Sequence, residues 1–243
     1  MNAPALTSRS LNSYLNDAMI AEFLQRQRQR LAGTVLDIGC GSQRYRDTIL
    51  SAPNVARYVA LDVRAGLFVY TSKADVYWNG VDMPFADESV DSAILFEVVE
   101  HCADPRMVVA EAHRVLKPGG CLLFSVPFTY QLHGFPFDYQ RLTPAGARQL
   151  FGKAGFLPVA VEPSGAWDAS LAQMFAIWIT HRPLPRIVRF AARHAFVPIF
   201  RLLLHLDRRH RRNEAAENDM MPGILGLAIK PMATDAPEMR RRQ

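Results

Sequence analysis

The hydrophobic and polar positions of the chain alternate between short apolar runs and amphipathic stretches. Six apolar runs have the length of buried strands: 34–38, 57–63, 73–78, 92–98, 121–127 and 156–162. Stretches with helical spacing lie between most of them, for example 105–116 and 143–154. Because strands that are apolar nearly throughout are buried on both faces, the pattern predicts an α/β fold, a doubly wound, mostly parallel sheet covered by helices.

Residues 1–33 are expected to form a separate helical segment in front of this core. Apolar positions from Leu11 to Leu31 follow the i, i+3, i+4 spacing of one helix face. Arginines crowd the end of this stretch and Gly33 follows it, as is usual where a helix stops. The core proper should then span 34–166, with a sharp turn at the LKPGG sequence of 116–120.

From Trp167 onward the alternation stops. Residues 167–222 are apolar and basic with helical spacing, so they predict a helical insertion, in which Pro198 should kink or end the second helix. Residues 223–231 predict a last strand that returns to the sheet, and 232–243 predict a disordered tail.

A glycine turn follows the first predicted strand, in the sequence VLDIGCGS. Asp37 ends the strand, and Gly39 and Gly41 let the backbone turn tightly and approach a ligand closely. A second acid, Asp62, ends the second strand, where a carboxylate can accept hydrogen bonds from both hydroxyls of a ribose. Ligands of open α/β sheets bind at the carboxyl ends of the strands, where these residues are expected.

Together with NGVDMPFADESVDSAILFEVVEH, DPRMVVAEAHRVLKPGG and CLLFSVP, this motif resembles the class I S-adenosylmethionine-dependent methyltransferases, and within them the type-11 group. The resemblance covers about 34–162 and implies a seven-stranded Rossmann-like sheet. It implies S-adenosylmethionine as cofactor, with Asp37 at its amino-acid end, Asp62 on the ribose, Asn79 and Gly80 beside the adenine and Glu97 near the methionine. The full implied cofactor set is Asp37, Gly39, Cys40, Gly41, Asp62, Val63, Asn79, Gly80, Phe96 and Glu97. A nicotinamide-binding unit also begins with a strand, a glycine turn and a helix, but it has a third glycine where this chain has none.

Two positions differ from many members of the family. Gln43 replaces a third glycine, in a turn similar to that of a subgroup with a GCG-[ST]-x-x-Y sequence. Asn79 stands where an aspartate is common, and its amide oxygen could still accept a hydrogen bond from the adenine amino group.

The stretch HGFPFDYQRLTP, residues 133–144, is unusually rich for a connector. It resembles a segment of methyltransferases associated with surface polysaccharide or glycan biosynthesis, and it should lie over the acceptor. His133 and Asp138 are the candidate catalytic bases, and Tyr139 and Arg141 the candidate acceptor-binding residues. The alternative is structural: Asp138 pairs with Arg141, and Tyr139 packs against the sheet. Thr143 followed by Pro144 is a good start for the next helix.

Other polar residues favour structural roles. Cys40 and Cys102 are interpreted as packing residues and His101 as a residue that orders the loop after the fourth strand. Three widely spaced cysteines without a C-x-x-C pair predict neither disulfides nor a metal site, and they fit a cytoplasmic protein.

The positive charge is concentrated in the last quarter of the chain. Residues 181–243 hold 13 Lys/Arg against 6 Asp/Glu, whereas the whole chain carries +5. This asymmetry favours an anionic neighbour, and the stretch 184–212 is interpreted as a lid, a dimer contact or a peripheral attachment to the inner membrane face. A nucleic-acid partner is disfavoured because no recognisable module accompanies the basic residues. The oligomeric state is left open.

The functional hypothesis is transfer of a methyl group to a small-molecule or glycan acceptor, including a lipid-linked one, by in-line displacement. The alternative hypothesis is a binding module that keeps the cofactor fold without turnover and docks at a membrane or on a partner.

Overall fold

The computed structural model describes residues 5–63, 73–210, 215–216 and 218–232. The described residues contain one seven-stranded sheet in the order β3-β2-β1-β4-β5-β7-β6. Its strands are β1 Gly33–Ile38, β2 Val55–Val63, β3 Val76–Trp78, β4 Val90–Phe96, β5 Leu116–Pro127, β6 Val159–Pro163 and β7 Gly223–Ile229. Only β7 runs antiparallel to its neighbours β5 and β6. The predicted fold class is therefore confirmed, including the return of the last strand to the sheet.

Helices cover both faces of this sheet. They are α1 Leu11–Gln27, α2 Arg46–Leu50, α3 Pro105–Val115, α4 Pro144–Lys153, α5 Trp167–His181 and α6 Arg186–His210, with short 3-10 turns at Arg28–Arg30 and Val99–His101. α3 and α4 pack on one face, where Phe124 stacks on Phe151. α1, α5 and α6 pack on the other face, where Phe196 and Phe200 are buried. The helical insertion before the last strand is thus part of the second face.

Local capping explains where two of the helices begin. Asp104 accepts a hydrogen bond from the backbone N–H of Arg106 over 3.0 Å, with Pro105 at the first helical position of α3. Thr143 does the same for Gly146 over 3.1 Å, in front of Pro144. Both pairs satisfy N–H groups that a helix leaves free and set the backbone for the first turn. The predicted start of α4 is confirmed.

Two predicted boundaries were wrong. α1 ends at Gln27, and the chain continues to Arg30 as a 3-10 turn. The expected sharp turn at 116–120 is extended, because Leu116 pairs with Val90 and the register shifts before Cys121 pairs with Ser92. Of the kink or end predicted at Pro198, the structure excludes the end, because α6 continues through this residue. Of the predicted tail, 233–243 lies outside the described residues.

Candidate active site

A cavity of about 890 Å³ lies at the carboxyl ends of β1, β2, β3 and β4. Its size is within the usual range of small-molecule sites, ~300–1,000 Å³. Seven residues singled out from the sequence lie on its wall: Gly39, Asp62, Val63, Asn79, Gly80, Glu97 and Tyr139. The prediction that ligand contacts gather at this edge of the sheet agrees with their placement.

The glycine turn lets the chain leave β1 next to β4. Gly39 has a φ of +73°, and a Cβ atom there would lie 2.5 Å from Cγ2 of Val98. The backbone N–H of Gly39 also donates to the carbonyl of Leu61 on β2 over 2.8 Å. Positive φ and lack of space both demand glycine at this point of the cavity wall.

Asp62 fixes the turn from the neighbouring strand. Its carboxylate is 5% exposed; one oxygen accepts the N–H of Gly41 over 3.0 Å and the other the N–H of Val63 over 2.8 Å. The first oxygen, Oδ2, also accepts the thiol of Cys40 over 3.8 Å, whereas Oδ1 has a further lone pair. The residue can therefore keep the turn in place and still accept a hydroxyl from a ligand in the cavity.

Four residues of the implied cofactor set do not line this cavity: Asp37, Cys40, Gly41 and Phe96. Asp37 lies behind the turn, where it accepts a hydrogen bond from the hydroxyl of Tyr58, and burial raises its pKa to about 7. Phe96 packs edge-to-face on Tyr45 at 5.5 Å, on the α1 side of the sheet. Phe96 thus packs beside the cavity, and its predicted part in cofactor binding stays a prediction.

The hydrogen bonds of Asn79 differ from the predicted contact of its amide oxygen with adenine. Its Oδ1 atom accepts the backbone N–H groups of Val81 and Asp82, each over 2.8 Å. Both lone pairs of that oxygen are therefore engaged in the loop that follows β3. An adenine contact through the amide oxygen is not what this structure shows, because Asn79 acts as the residue that shapes the turn.

Glu97 lies on the cavity wall just after β4. Its φ is +55°, and its carboxylate accepts a hydrogen bond from Ser125 Oγ over 2.8 Å and another from Asn16 Nδ2 over 3.3 Å. Burial raises the pKa of Glu97 to about 7. No local sequence pattern predicts the contact with Asn16, which brings the N-terminal helix α1 to the site.

An ion pair organises the loop 133–144, the predicted acceptor loop. Arg141 Nη2 lies 2.8 Å from Oδ2 of Asp138, and this pairing lowers the pKa of Asp138 to about 2. The same carboxylate accepts the backbone N–H of His133 over 2.9 Å. The structural alternative for Asp138 and Arg141 is therefore what the structure shows. A carboxylate held ionised in this way is a weak base for an acceptor proton.

Tyr139 and His133 point to different sides of this loop. Tyr139 is 49% exposed and lines the cavity, so it does not pack against the sheet as the alternative had it. The ring of His133 instead lies 4.7 Å from that of His101, which does line the cavity. Both histidines face the buried carboxylate of Glu100, whose pKa burial raises well above its usual range.

Sequence reasoning missed the apolar wall of the site, which includes Trp78, Met107, Val108 and Phe137. Met107 is 43% exposed although it is in the first turn of a helix that packs on the sheet. A large apolar residue three positions after the helix cap Asp104, beside the predicted strand ends, was the available signal. Trp78 gave a similar one, since it immediately precedes Asn79.

Comparison with known proteins agrees with this geometry. The family model described as a methyltransferase domain matches residues 36–124. The ubiquinone biosynthesis O-methyltransferase of Pseudomonas syringae pv. tomato is 30% identical over 189 residues, which cover 68% of this chain and 76% of that protein. The chain belongs to the S-adenosylmethionine-dependent methyltransferases.

Other relatives of this methyltransferase match between about half and nearly all of its chain. A Mycolicibacterium smegmatis protein whose name places it in the same family is 33% identical over 144 residues, 54% of this chain and 55% of its own. The chain thus spans about half the length of the first curated relatives it matches. A solved S-adenosylmethionine-dependent methyltransferase of Thermotoga maritima has a TM-score of 0.54 at 16% identity, over 92% of this chain and 97% of that one. This last similarity shows the shared fold.

S-adenosylmethionine is the cofactor of this family, and the residues on the cavity wall fit it. Asp62 presents a buried carboxylate that suits ribose hydroxyls, and Gly39 lies on the same wall. Trp78, Met107 and Val108 supply an apolar surface that suits a purine.

Proposed function

We propose that this protein transfers a methyl group from S-adenosylmethionine to an oxygen of a small-molecule or glycan acceptor. The supporting observation is the continuity of one cavity. Gly39 and Asp62 form its cofactor end, and Phe137 and Tyr139 of the acceptor loop lie on the same wall. Because this cavity extends from the proposed cofactor end to the loop 133–144, it can hold the cofactor and an acceptor in line.

Bound S-adenosylmethionine supplies a methyl group on a positively charged sulfur, ready for displacement. The chain has to hold that group and the acceptor and to exclude water. Asp62 and the Gly39 turn hold the cofactor, while Phe137 and Tyr139 close the acceptor side. Of the two candidate bases, His133 fits better than Asp138, because Arg141 keeps Asp138 ionised and engaged. Asp138 is proposed as a positioning residue for the loop, with Arg141 as its partner.

An oxygen acceptor is supported by the histidines beside the cavity, since neutral hydroxyls need help to lose a proton. The Pseudomonas relative, which is named as an O-methyltransferase, supports the same class. The resemblance of the 133–144 loop to glycan-associated methyltransferases favours a sugar hydroxyl.

Calorimetry with S-adenosylmethionine and S-adenosylhomocysteine tests the cofactor part of the proposal. We expect saturable binding of both by the full chain and a loss of at least about tenfold in affinity for Asp62→Ala. Absence of binding at millimolar cofactor would contradict it. Incubation of a cell extract with methyl-labelled cofactor tests the transfer, and cofactor binding without label transfer to any extract would favour the binding-module alternative.

We also propose that the α5–α6 insertion attaches the protein to an anionic lipid surface. Large apolar side chains remain exposed on both helices: Trp167, Leu171, Met174, Phe175 and Trp178 on α5, and Ile187, Val188, Phe190, Ile199 and Leu202 on α6. Ile187 is 84% exposed and Phe190 66%. No helix within the described residues is long and apolar enough to cross a bilayer. Exposed apolar groups on such helices suit the interface rather than the bilayer core.

Arginines accompany this apolar surface. Four of the residues that line a cavity of about 370 Å³ beside α6 are Arg9, Arg186, Arg189 and Arg193. Just after α5, the guanidinium of Arg182 lies 5.1 Å from the ring centre of Trp178. Cations next to interfacial aromatics favour anionic headgroups. Such attachment would bring a lipid-linked acceptor to the cavity.

Co-sedimentation with anionic vesicles tests the attachment. We expect binding at low salt that is lost when Arg186, Arg189 and Arg193 become Glu. The matched control changes three exposed arginines elsewhere to Glu: Arg57, Arg106 and Arg148. Unmodified protein that stays in the supernatant, or equal losses in both triple variants, would contradict the proposal.

A further inference from the structure

Three chemically related side chains meet next to the cavity: Glu100, His101 and His133. One ligand atom of each lies within 4.8 Å of the others. Nε2 of His101 and Nε2 of His133 are both 3.8 Å from Oε1 of Glu100. The two rings are 4.7 Å apart at an angle of 75°. Two imidazoles from different loops thus turn the same nitrogen toward one carboxylate.

The opposite nitrogens of the two rings show where the protons are. Nδ1 of His101 lies 2.8 Å from the carbonyl oxygen of Phe137 and therefore donates to it. Nδ1 of His133 faces the carbonyl of Gln131 at 3.3 Å and Oδ2 of Asp138 at 3.4 Å, which are both acceptors. With Nδ1 protonated, each neutral ring has its lone pair on Nε2. An Nδ1–H bond to a carbonyl or carboxylate is also how proteins orient histidines that ligate metals.

Glu100 is fully buried at 0% exposure. Neither of its carboxylate oxygens has a hydrogen-bond partner within the described parts of the chain. The nearby cation Arg141 is engaged by Asp138 over 2.8 Å. A buried carboxyl group beside two imidazole nitrogens can be neutralised by its own proton or by a cation bound at that point.

We propose that Glu100, His101 and His133 bind a divalent transition-metal cation, with zinc as the ion to test. Two imidazoles and one carboxylate are a donor set that zinc takes in sites with an open position. Tetrahedral zinc with ligands at about 2.1 Å holds its donor atoms roughly 3.4 Å apart. Two of the separations are 3.8 Å and all three donor atoms lie within 4.8 Å, so the side chains have to close in by up to about 1.4 Å to reach that geometry. The sequence predicted no metal site because the donors come from two separate loops and follow no recognised ligand spacing.

The open position of such a cation has a role that rests on the proposed methyl transfer. His101 lies on the cavity wall with Phe137 and Tyr139, so a ligand in the acceptor end can reach the cation. A metal-bound hydroxyl loses its proton at a lower pH than a free one. The site would therefore recognise an acceptor that offers a hydroxyl oxygen, and His133 would act as a ligand in place of a direct base.

Zinc alone tests the site without reference to activity. We expect the full chain, treated with chelator and dialysed, to bind one zinc ion with micromolar or tighter affinity in calorimetry. Replacement of zinc by cobalt should give the visible absorption of a tetrahedral N/O site. His101→Asn and His133→Asn should each lower the affinity for zinc by more than about 100-fold. Asp138→Asn changes the carboxylate that faces Nδ1 of His133, and it should lower the affinity by about tenfold.

The matched control is His205→Asn, which removes an exposed histidine of α6. It should leave zinc affinity unchanged. Circular dichroism and cofactor calorimetry on every variant separate loss of the metal site from loss of the fold or of the proposed cofactor site. If the unmodified chain binds no zinc, or if the His101 and His133 variants bind it like the His205 variant, the metal proposal is overturned, whatever the result with S-adenosylmethionine.

Discussion

Tyr58 on β2 donates its hydroxyl to the buried carboxylate of Asp37 on the adjacent strand β1. Burial is the main cause that raises the pKa of Asp37 to about 7, and the hydrogen bond from Tyr58 opposes it. The carboxyl group directly precedes the Gly39 turn. The protonation of one side chain is therefore linked to the stability of the strand that carries the cofactor turn.

This link predicts a pH dependence of stability. Asp37 holds its proton more tightly in the folded state than in the unfolded state, where its pKa is about 4. Its stabilising contribution is therefore complete below about pH 4 and is lost as the pH rises to about 7. We expect Asp37→Asn to reduce this loss by up to about 1.4 kcal/mol per pH unit in urea unfolding between pH 5 and pH 7. Asp47→Asn, on the exposed side of α2, is the control. Equal slopes for Asp37→Asn and the unmodified chain would contradict the link.

The Gly39 turn gives a second prediction. Alanine there would have to adopt a φ of +73° with its Cβ 2.5 Å from Val98. We expect Gly39→Ala to lower the free energy of unfolding by about 1–3 kcal/mol and to lower the affinity for S-adenosylmethionine by at least tenfold. Gly152→Ala is the opposite case, since a Cβ in that helix meets nothing within 4 Å. It should raise stability by about 0.5–1 kcal/mol and leave cofactor affinity unchanged. Thermal unfolding and calorimetry measure both, and a Gly39→Ala protein that binds cofactor normally would refute the prediction.

These residues also show what the sequence could predict. Gly39 and Asp62 follow apolar runs directly, and local signals of that kind are sufficient to place a residue at the end of a strand. Side chains alternate along β4, so Leu95 packs on the α3 side and Phe96 on the α1 side, and the apolar run alone does not say which of them faces which helices. The contact of Asn16 with Glu97 depends on how α1 packs, which no local pattern encodes. The same holds for His133, which meets Glu100 only after the loop has folded.

The turn after β3 allows a third prediction. Because Oδ1 of Asn79 accepts two backbone N–H groups, the turn needs a side-chain acceptor rather than an amide. Asn79→Asp should keep cofactor affinity within about threefold, whereas Asn79→Ala should weaken it by about tenfold. Calorimetry at one salt concentration compares the two. Equal losses would mean that the amide nitrogen of Asn79, not its oxygen, matters for binding.

The last prediction concerns the attachment of α5 to α6. Asp207 is 1% exposed, and its Oδ1 atom accepts the backbone N–H groups of Ala166 and Ala169, each over 2.9 Å. Asp207, near the end of α6, therefore provides the acceptor for the N–H groups at the start of α5. In this way it positions the exposed apolar surface relative to the sheet. Asp207→Ala leaves two buried donors without a partner, which should cost about 2–4 kcal/mol of unfolding free energy.

Asp104→Ala is the matched comparison for that prediction, since Asp104 caps α3 at the protein surface. A surface cap of this kind contributes only about 1 kcal/mol. Urea unfolding should separate the two variants. Hydrogen exchange of the amides of 166–170 should accelerate in Asp207→Ala alone, because only there does the N-terminal turn of α5 lose its acceptor. If the two variants lose equal stability and the exchange at 166–170 is unchanged, Asp207 does not hold the insertion in place.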